Sequence, residues 1–141
     1  MKIVIGFDGS ENSRKAVNFL GNFCHTMTEI FIVNIIELQQ ATLNTTEQYF
    51  LTKAKILKIL EEETRKIRNE ICKEKSDKIE IDIKIIESNR IAPAIIDFAK
   101  AIEADLIVVG SRGLGQIKRA FLGSVSSELI EKSPFPVLVV K

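Results

Sequence analysis

Apolar positions along the chain change their period several times. Lys2 to Asp8 opens with Ile3-Val4-Ile5 and closes on Gly and Asp, the pattern of a parallel strand covered on both faces. Ser10 is a good N-cap type, and Ala16, Phe19, Leu20, Phe23 and Cys24 follow it at helical spacing as far as about His25. Glu29 to Glu37 carries Ile30-Phe31-Ile32-Val33 and Ile35-Ile36, which predicts a second buried strand. Leu38 to Thr46 is polar and patternless and reads as a loop. Thr46 to Lys75 predicts a long helix with Leu57, Leu60, Ile67 and Ile71 on one face and mixed Lys, Arg and Glu on the other.

Lys78 to Glu87 alternates strictly, with Ile79, Ile81, Ile83 and Ile85 set between Glu80, Asp82 and Lys84. One apolar and one charged face describe a strand at a sheet edge, only partly covered. Pro93 suits the first turn of a third helix carrying Ile95, Ile96, Ala99 and Ile102. Asp105 to Val109 is a fourth strand running into Gly110, Ser124 opens a fourth helix to about Lys132, and Pro136 leads into Val137-Leu138-Val139-Val140. Five strands alternating with four helices predict one α/β domain over residues 1–141: a doubly wound, five-stranded parallel sheet with helices on both faces. Ligands of such sheets bind beyond the carboxyl ends of the strands, at the point where strand order reverses. Asp8, Ile35 to Glu37, Glu87 to Asn89 and Gly110 are the ends in question.

Length and composition narrow the function classes. At 141 residues, 45% hydrophobic and 28% charged, the chain has the makings of one ordinary globular core. A net charge of +1 supplies no global field to recruit nucleic acid or an anionic membrane. No apolar run approaches the ~20 residues of a membrane span. Cys24 and Cys72 form no CxxC or metal-type cluster, which points to a reducing, cytoplasmic setting. With His25 the single histidine, neither a His-centred metal site nor a Ser-His-Asp triad is expected, and no catalytic residue is assigned.

The segment from Gly110 to Ser124 is where chemistry concentrates. It reads GSRGLGQIKRAFLGS, with Arg112, Lys118 and Arg119 and no acid. Glycines let the backbone turn sharply and aim N–H groups at an anion, and Ser124 is expected to cap the next helix, whose N-terminus adds unpaired donors and partial positive charge. Glycine turns and solvated basic loops also occur without any ligand. The segment lacks the G-x-x-x-x-G-K-[ST] of a P-loop, and Lys118 stands where a dinucleotide fingerprint needs its third glycine. Asp8, on the neighbouring strand end, suits ribose hydroxyls or a place near a phosphate-bound metal; as Asp8-Gly9-Ser10 it also suits a plain turn into a helix cap.

The spacing G-x2-G-x9-G-[ST] at Gly110, Gly113, Gly123 and Ser124, with Asp8 in Gly6-Phe7-Asp8-Gly9-Ser10 and the ending Ser133 to Val140, resembles the ATP-binding branch of the universal stress protein family over the whole chain. The resemblance implies a Rossmann-like fold of the adenine nucleotide alpha hydrolase type. It implies Asp8 at the ribose or adenine side with Gly6 and Phe7 lining the approach, and backbone near Asn34 and Ile35 reading adenine. It also implies phosphates held by Gly110, Arg112, Gly113, Gly123, Ser124 and the N–H groups of Val125 and Ser126, with Mg²⁺ or Mn²⁺ carried on ATP's phosphate oxygens. A homodimer joined through Val137, Leu138, Val139 and Val140 is implied as well; an apolar last strand argues for it independently if it lies at a sheet edge, the alternative being a strand buried inside the sheet. Where the family often has Gly and then Pro, this chain has Asn89 and Ile91; Asn tolerates the left-handed conformation, so the turn is expected to survive. The function expected is nucleotide-dependent regulation or stress response with at most slow ATP hydrolysis. The alternatives are an adenylating enzyme that splits ATP between its α and β phosphates, or a nucleotide-free interaction domain.

Overall fold

A computed structural model describes residues 1–20, 28–37, 46–66, 69, 79–114 and 121–141. Its elements are β1 (Lys2–Gly6), α1 (Glu11–Phe19), β2 (Thr28–Ile36), α2 (Thr46–Lys66), β3 (Ile79–Glu87), α3 (Ile91–Ala101), β4 (Leu106–Gly110), α4 (Ser124–Lys132) and β5 (Val137–Val140). Phe23, Cys24, His25, Ile67, Ile71, Cys72, Lys118, Arg119 and the expected loop over 38–45 lie outside the described residues.

All strand pairs are parallel and the order is β3-β2-β1-β4-β5. β2, β1 and β4 lie inside, and the runs Ile3–Ile5 and Leu106–Val109 are continuously apolar because both faces are covered. On one face Ile3, Ile5 and Phe7 join Ile30 and Ile32 of β2, Ala16 and Val17 of α1, Leu20 just beyond it, and Leu60 of α2. On the other, Val4, Val33, Ile107 and Val109 pack with Ala92, Ile95 and Ala99 of α3 and Leu129 of α4. β3 is an edge strand, as its alternation predicts, with Ile81, Ile83 and Ile85 partly buried against the first core. β5 is the other edge.

Three expectations need correction. Leu57 does not face the core: it is exposed, and α2 instead turns Ile56, Leu60 and Glu63 inward. Glu63 is tolerated there because Arg14 and Lys66 both donate to its Oε1, at 2.8 and 3.1 Å. Asn89 is not left-handed, since Glu103 is the one non-glycine residue with positive φ among those described. The turn into α3 is made instead by Ser88, whose Oγ accepts from the Arg90 N–H at 3.1 Å, with Arg90 as N-cap and Ile91 the first helical residue. Finally, Ser124 is not the cap of α4. Gly123 holds that position with an extended backbone (φ −74°, ψ 165°), and Ser124 is the first residue inside the helix.

Candidate functional site

The order of strands reverses between β1 and β4, and the carboxyl ends of these two bring Asp8 and the Gly110–Leu114 segment together. Beyond β1 the chain stays pinned for one more residue, because the Phe7 N–H donates to Val33 O at 2.8 Å. Asp8 then emerges, exposed, and Gly9 turns the backbone at φ +82°, a value glycine adopts without strain. Ser10 caps α1: its Oγ accepts from the Ser13 N–H at 3.1 Å.

Both oxygens of Asp8 are engaged by backbone. Oδ1 accepts the Ser10 N–H at 2.9 Å, and Oδ2 accepts the Leu114 N–H at 3.2 Å. The carboxylate therefore spans from its own turn to the glycine segment, 106 residues on. A Cβ on Gly113 would stand 2.4 Å from Asp8 Oδ2, so this close approach requires glycine. A second tie crosses the same gap, where Ser10 Oγ donates to Arg112 O at 3.3 Å.

Ser111 organises the far side of the segment and had no signal in the sequence. It is buried; its N–H donates to Val140 O at 2.7 Å, and its carbonyl accepts from the Gly123 N–H at 2.7 Å and from Ser126 Oγ at 3.1 Å. This clip closes the loop and sets the start of α4 against it. The first intrahelical bond of α4 runs from the Ser127 N–H to Gly123 O at 3.0 Å. The N–H groups of Ser124, Val125 and Ser126 precede it, and the glycine at the N-cap offers no side chain to take them. α1 has a serine cap and α4 does not. Open donors, the positive end of the helix dipole and an exposed Arg112 thus adjoin one another at the α4 terminus.

The remaining expected site residues fall into place unevenly. Gly110 sits under the α1 backbone, so its need for glycine is a packing need. A Cβ on Gly6 would press on Val109 and Ile95, and the ring of Phe7 lies in the core, so both present only backbone to the site. Ile35 packs on the second core. Asn34 is buried at the end of β2, and its Nδ2 donates to Phe7 O at 2.7 Å, which leaves Oδ1 buried without a partner. The family resemblance implies a role for the backbone near Asn34, and the structure adds its side chain as the fastener between β2 and the residue that follows β1. Ser126 keeps its N–H available, but its hydroxyl is committed to Ser111 and Gly123.

A model described as the universal stress protein family matches residues 1–141. NhaX, a stress response protein of Bacillus subtilis, is 48% identical over 60 residues, covering 43% of this chain and 36% of that relative. The chain thus aligns with about a third of that protein's length. The match to the universal stress protein YxiE of the same organism is nearly end to end: 31% identity over 152 residues, 99% of this chain and 98% of the relative. Among solved structures, MJ0577 of Methanocaldococcus jannaschii superimposes with a TM-score of 0.78 at 26% identity, covering 99% of this chain and 94% of the other. A universal stress protein in complex with cAMP gives 0.69 at 26% identity, covering 99% and 95%. The Archaeoglobus fulgidus protein in complex with dAMP shares the fold at 22% identity and a TM-score of 0.62, covering 100% and 98%.

Proposed function

The chain belongs to the universal stress protein family, and from that premise we propose that it binds an adenine nucleotide, ATP in particular, where β1 and β4 end. The observation that carries the reading is the α4 terminus. Three consecutive backbone donors are left without a side-chain cap, beside Arg112 and across from Asp8. A neutral ligand would gain little there, whereas a polyphosphate satisfies the donors and the charge at once. The related protein in complex with cAMP supports adenine nucleotides as the ligand class. Asp8 keeps lone pairs for ribose hydroxyls, since each of its oxygens accepts one N–H. The backbone at Phe7, Asn34 and Ile35 adjoins it on the adenine side.

Among the described residues no three His, Cys, Asp or Glu side chains gather to hold a metal. In this reading Mg²⁺ or Mn²⁺ arrives on the phosphates and neutralises their charge. Asp8 is committed to binding, so ATP turnover is slow and the protein acts through its nucleotide-bound state in regulation or stress response. Residues 1–141 form a single such domain, in a reducing cytoplasm where Cys24 and Cys72 stay as thiols, and two copies pair through β5.

The test is to purify the protein natively, release any bound small molecule by heat and identify it by mass spectrometry. Calorimetric titration with MgATP, cAMP and GTP then compares the wild type with Gly123→Val, whose branched side chain would press on the Ser111–Arg112 backbone. Adenine nucleotide in the released fraction and ATP affinity lost in the variant are expected. Absence of ATP affinity in the wild type with Mg²⁺ present overturns the reading.

A further inference from the structure

Arg14 lies outside the binding residues, yet it touches the turn that carries Asp8. Its Nε donates to Gly9 O at 3.4 Å, and its Nη1 donates to Glu63 Oε1 at 2.8 Å. Gly9 is the positive-φ residue of that turn, and Asp8 Oδ1 and the Ser10 N–H close it from the other side. Glu63 belongs to α2, 49 positions away, and its side chain is only 6% exposed. A carboxylate that deep is costly without cations, so Arg14, on α1, fixes where the α2 backbone must sit, while Lys66, on the same helix as Glu63, adds charge but no anchor. The guanidinium is a rigid fork, so what it holds at one nitrogen constrains what it meets at another.

We propose that Arg14 is a positioning residue: clamped on Glu63, it holds the Gly9 carbonyl, so that docking of α2 sets the shape of the Asp8–Ser10 turn. Its effect on ligand affinity rests on the nucleotide reading above. The coupling is reciprocal, so a nucleotide seated on Asp8 tightens α2 by the factor by which α2 tightens the nucleotide. α2 carries Phe50, Leu51 and Leu57 exposed on its outward side, and a change in its docking is therefore presented to the surroundings.

Three variants separate this relay from general loosening. Glu63→Gln removes the charge clamp and keeps the shape; Arg14→Lys keeps a cation for Glu63 and loses the fork; Leu60→Ala loosens α2 through its buried apolar face without touching the pair. Amide exchange across residues 8–14 is followed without nucleotide, thermal unfolding is measured alongside, and MgATP is titrated into each. Faster exchange in the turn is expected for Glu63→Gln and for Arg14→Lys, and a smaller acceleration for Leu60→Ala, which loosens α2 but keeps the ion pair. A loss of about fivefold in ATP affinity should accompany it in the first two. Unchanged exchange in the turn of Glu63→Gln, or equal acceleration in Leu60→Ala, overturns the relay. If the turn responds as expected while the wild type binds no ATP, the relay stands without its link to nucleotide, and the nucleotide reading alone fails.

Discussion

A Cβ placed on Gly110 meets the carbonyl carbon of Asn12 at 2.6 Å and the amide nitrogen of Ser13 at 2.7 Å. Both atoms are backbone at the start of α1, so neither yields without shifting the helix. Gly110→Ala is expected to destabilise the fold by ~1–3 kcal/mol, measured by urea denaturation. Gly113 differs, because its close neighbour is the carboxylate Oδ2 of Asp8, a side-chain end that can swing away. Gly113→Ala should leave the denaturation midpoint nearly unchanged and weaken MgATP binding about tenfold, or ~1.4 kcal/mol, read by calorimetry. At Gly123 the nearest atom, the Cα of Arg112, is 3.4 Å away, an ordinary contact. Gly123→Ala should therefore change stability by less than ~0.5 kcal/mol. Identical residues in one motif thus separate into a packing role, a carboxylate-seating role and a cap, a distinction that residue spacing alone does not carry.

The N-terminal turns of α2 are tied to the carboxyl end of β3 by side chains rather than by a core. The Tyr49 hydroxyl donates to Glu87 Oε1, Lys53 Nζ reaches the same oxygen at 3.4 Å, and the ammonium lies 5.8 Å from the Tyr49 ring centroid. The Tyr49 hydrogen bond, with help from Lys53, holds the Glu87 carboxyl below its ordinary value, while Glu87 raises both Tyr49 and Lys53. A carboxylate lowered on folding contributes stability above its unfolded value and loses it as pH falls through the folded one. Protection factors for amides in residues 46–54 should accordingly fall as pH drops below the ordinary glutamate range, and Glu87→Gln should flatten that dependence. Most elements could be read from the sequence because burial on both sheet faces writes continuous apolar runs into β1 and β4, and one covered face writes alternation into β3. α2 was harder. Its inward face spends a position on Glu63, so counting apolar residues pulled Leu57 into the core, and the partner Arg14 lies 49 residues away where no local pattern reaches. The glycine segment was readable for the same local reason that α2 was not: strand end, turn and helix start are contiguous. The span of α4 is legible from Ser124 onward, but its cap lies one residue earlier than residue type suggests: serine is the better cap by type, whereas Ser111 O already claims the Gly123 N–H and fixes the cap there.

The two edges of the sheet are defended unequally. At β3 the Ser88 N–H donates inward to Ile36 O, so odd-numbered residues of that strand point their N–H groups outward. The outward N–H of Ile83 is taken by Asp82 Oδ1 at 2.8 Å, and Lys84 pairs with Asp82 Oδ2 at 2.9 Å, which leaves this edge charged and partly self-satisfied. At β5 the inward groups are fixed by Ile107 N–H donating to Pro136 O and Ser111 N–H donating to Val140 O. Val137 and Val139 therefore direct their N–H and C=O groups away from β4, along a strand whose four side chains are all apolar and only half-buried. Pairing with the same strand of a second copy satisfies those groups and covers the valines, and a two-fold axis makes the contact closed rather than propagating. The proposed dimer can be tested at the backbone alone. Val139→Pro removes one of the two outward N–H groups of the edge and leaves the inward ladder to β4 whole, a setting in which a strand accepts proline. Light scattering should give a dimer for the wild type and a monomer for Val139→Pro, with the far-UV circular dichroism of the two alike. A dimer that survives the proline places the contact somewhere other than this edge.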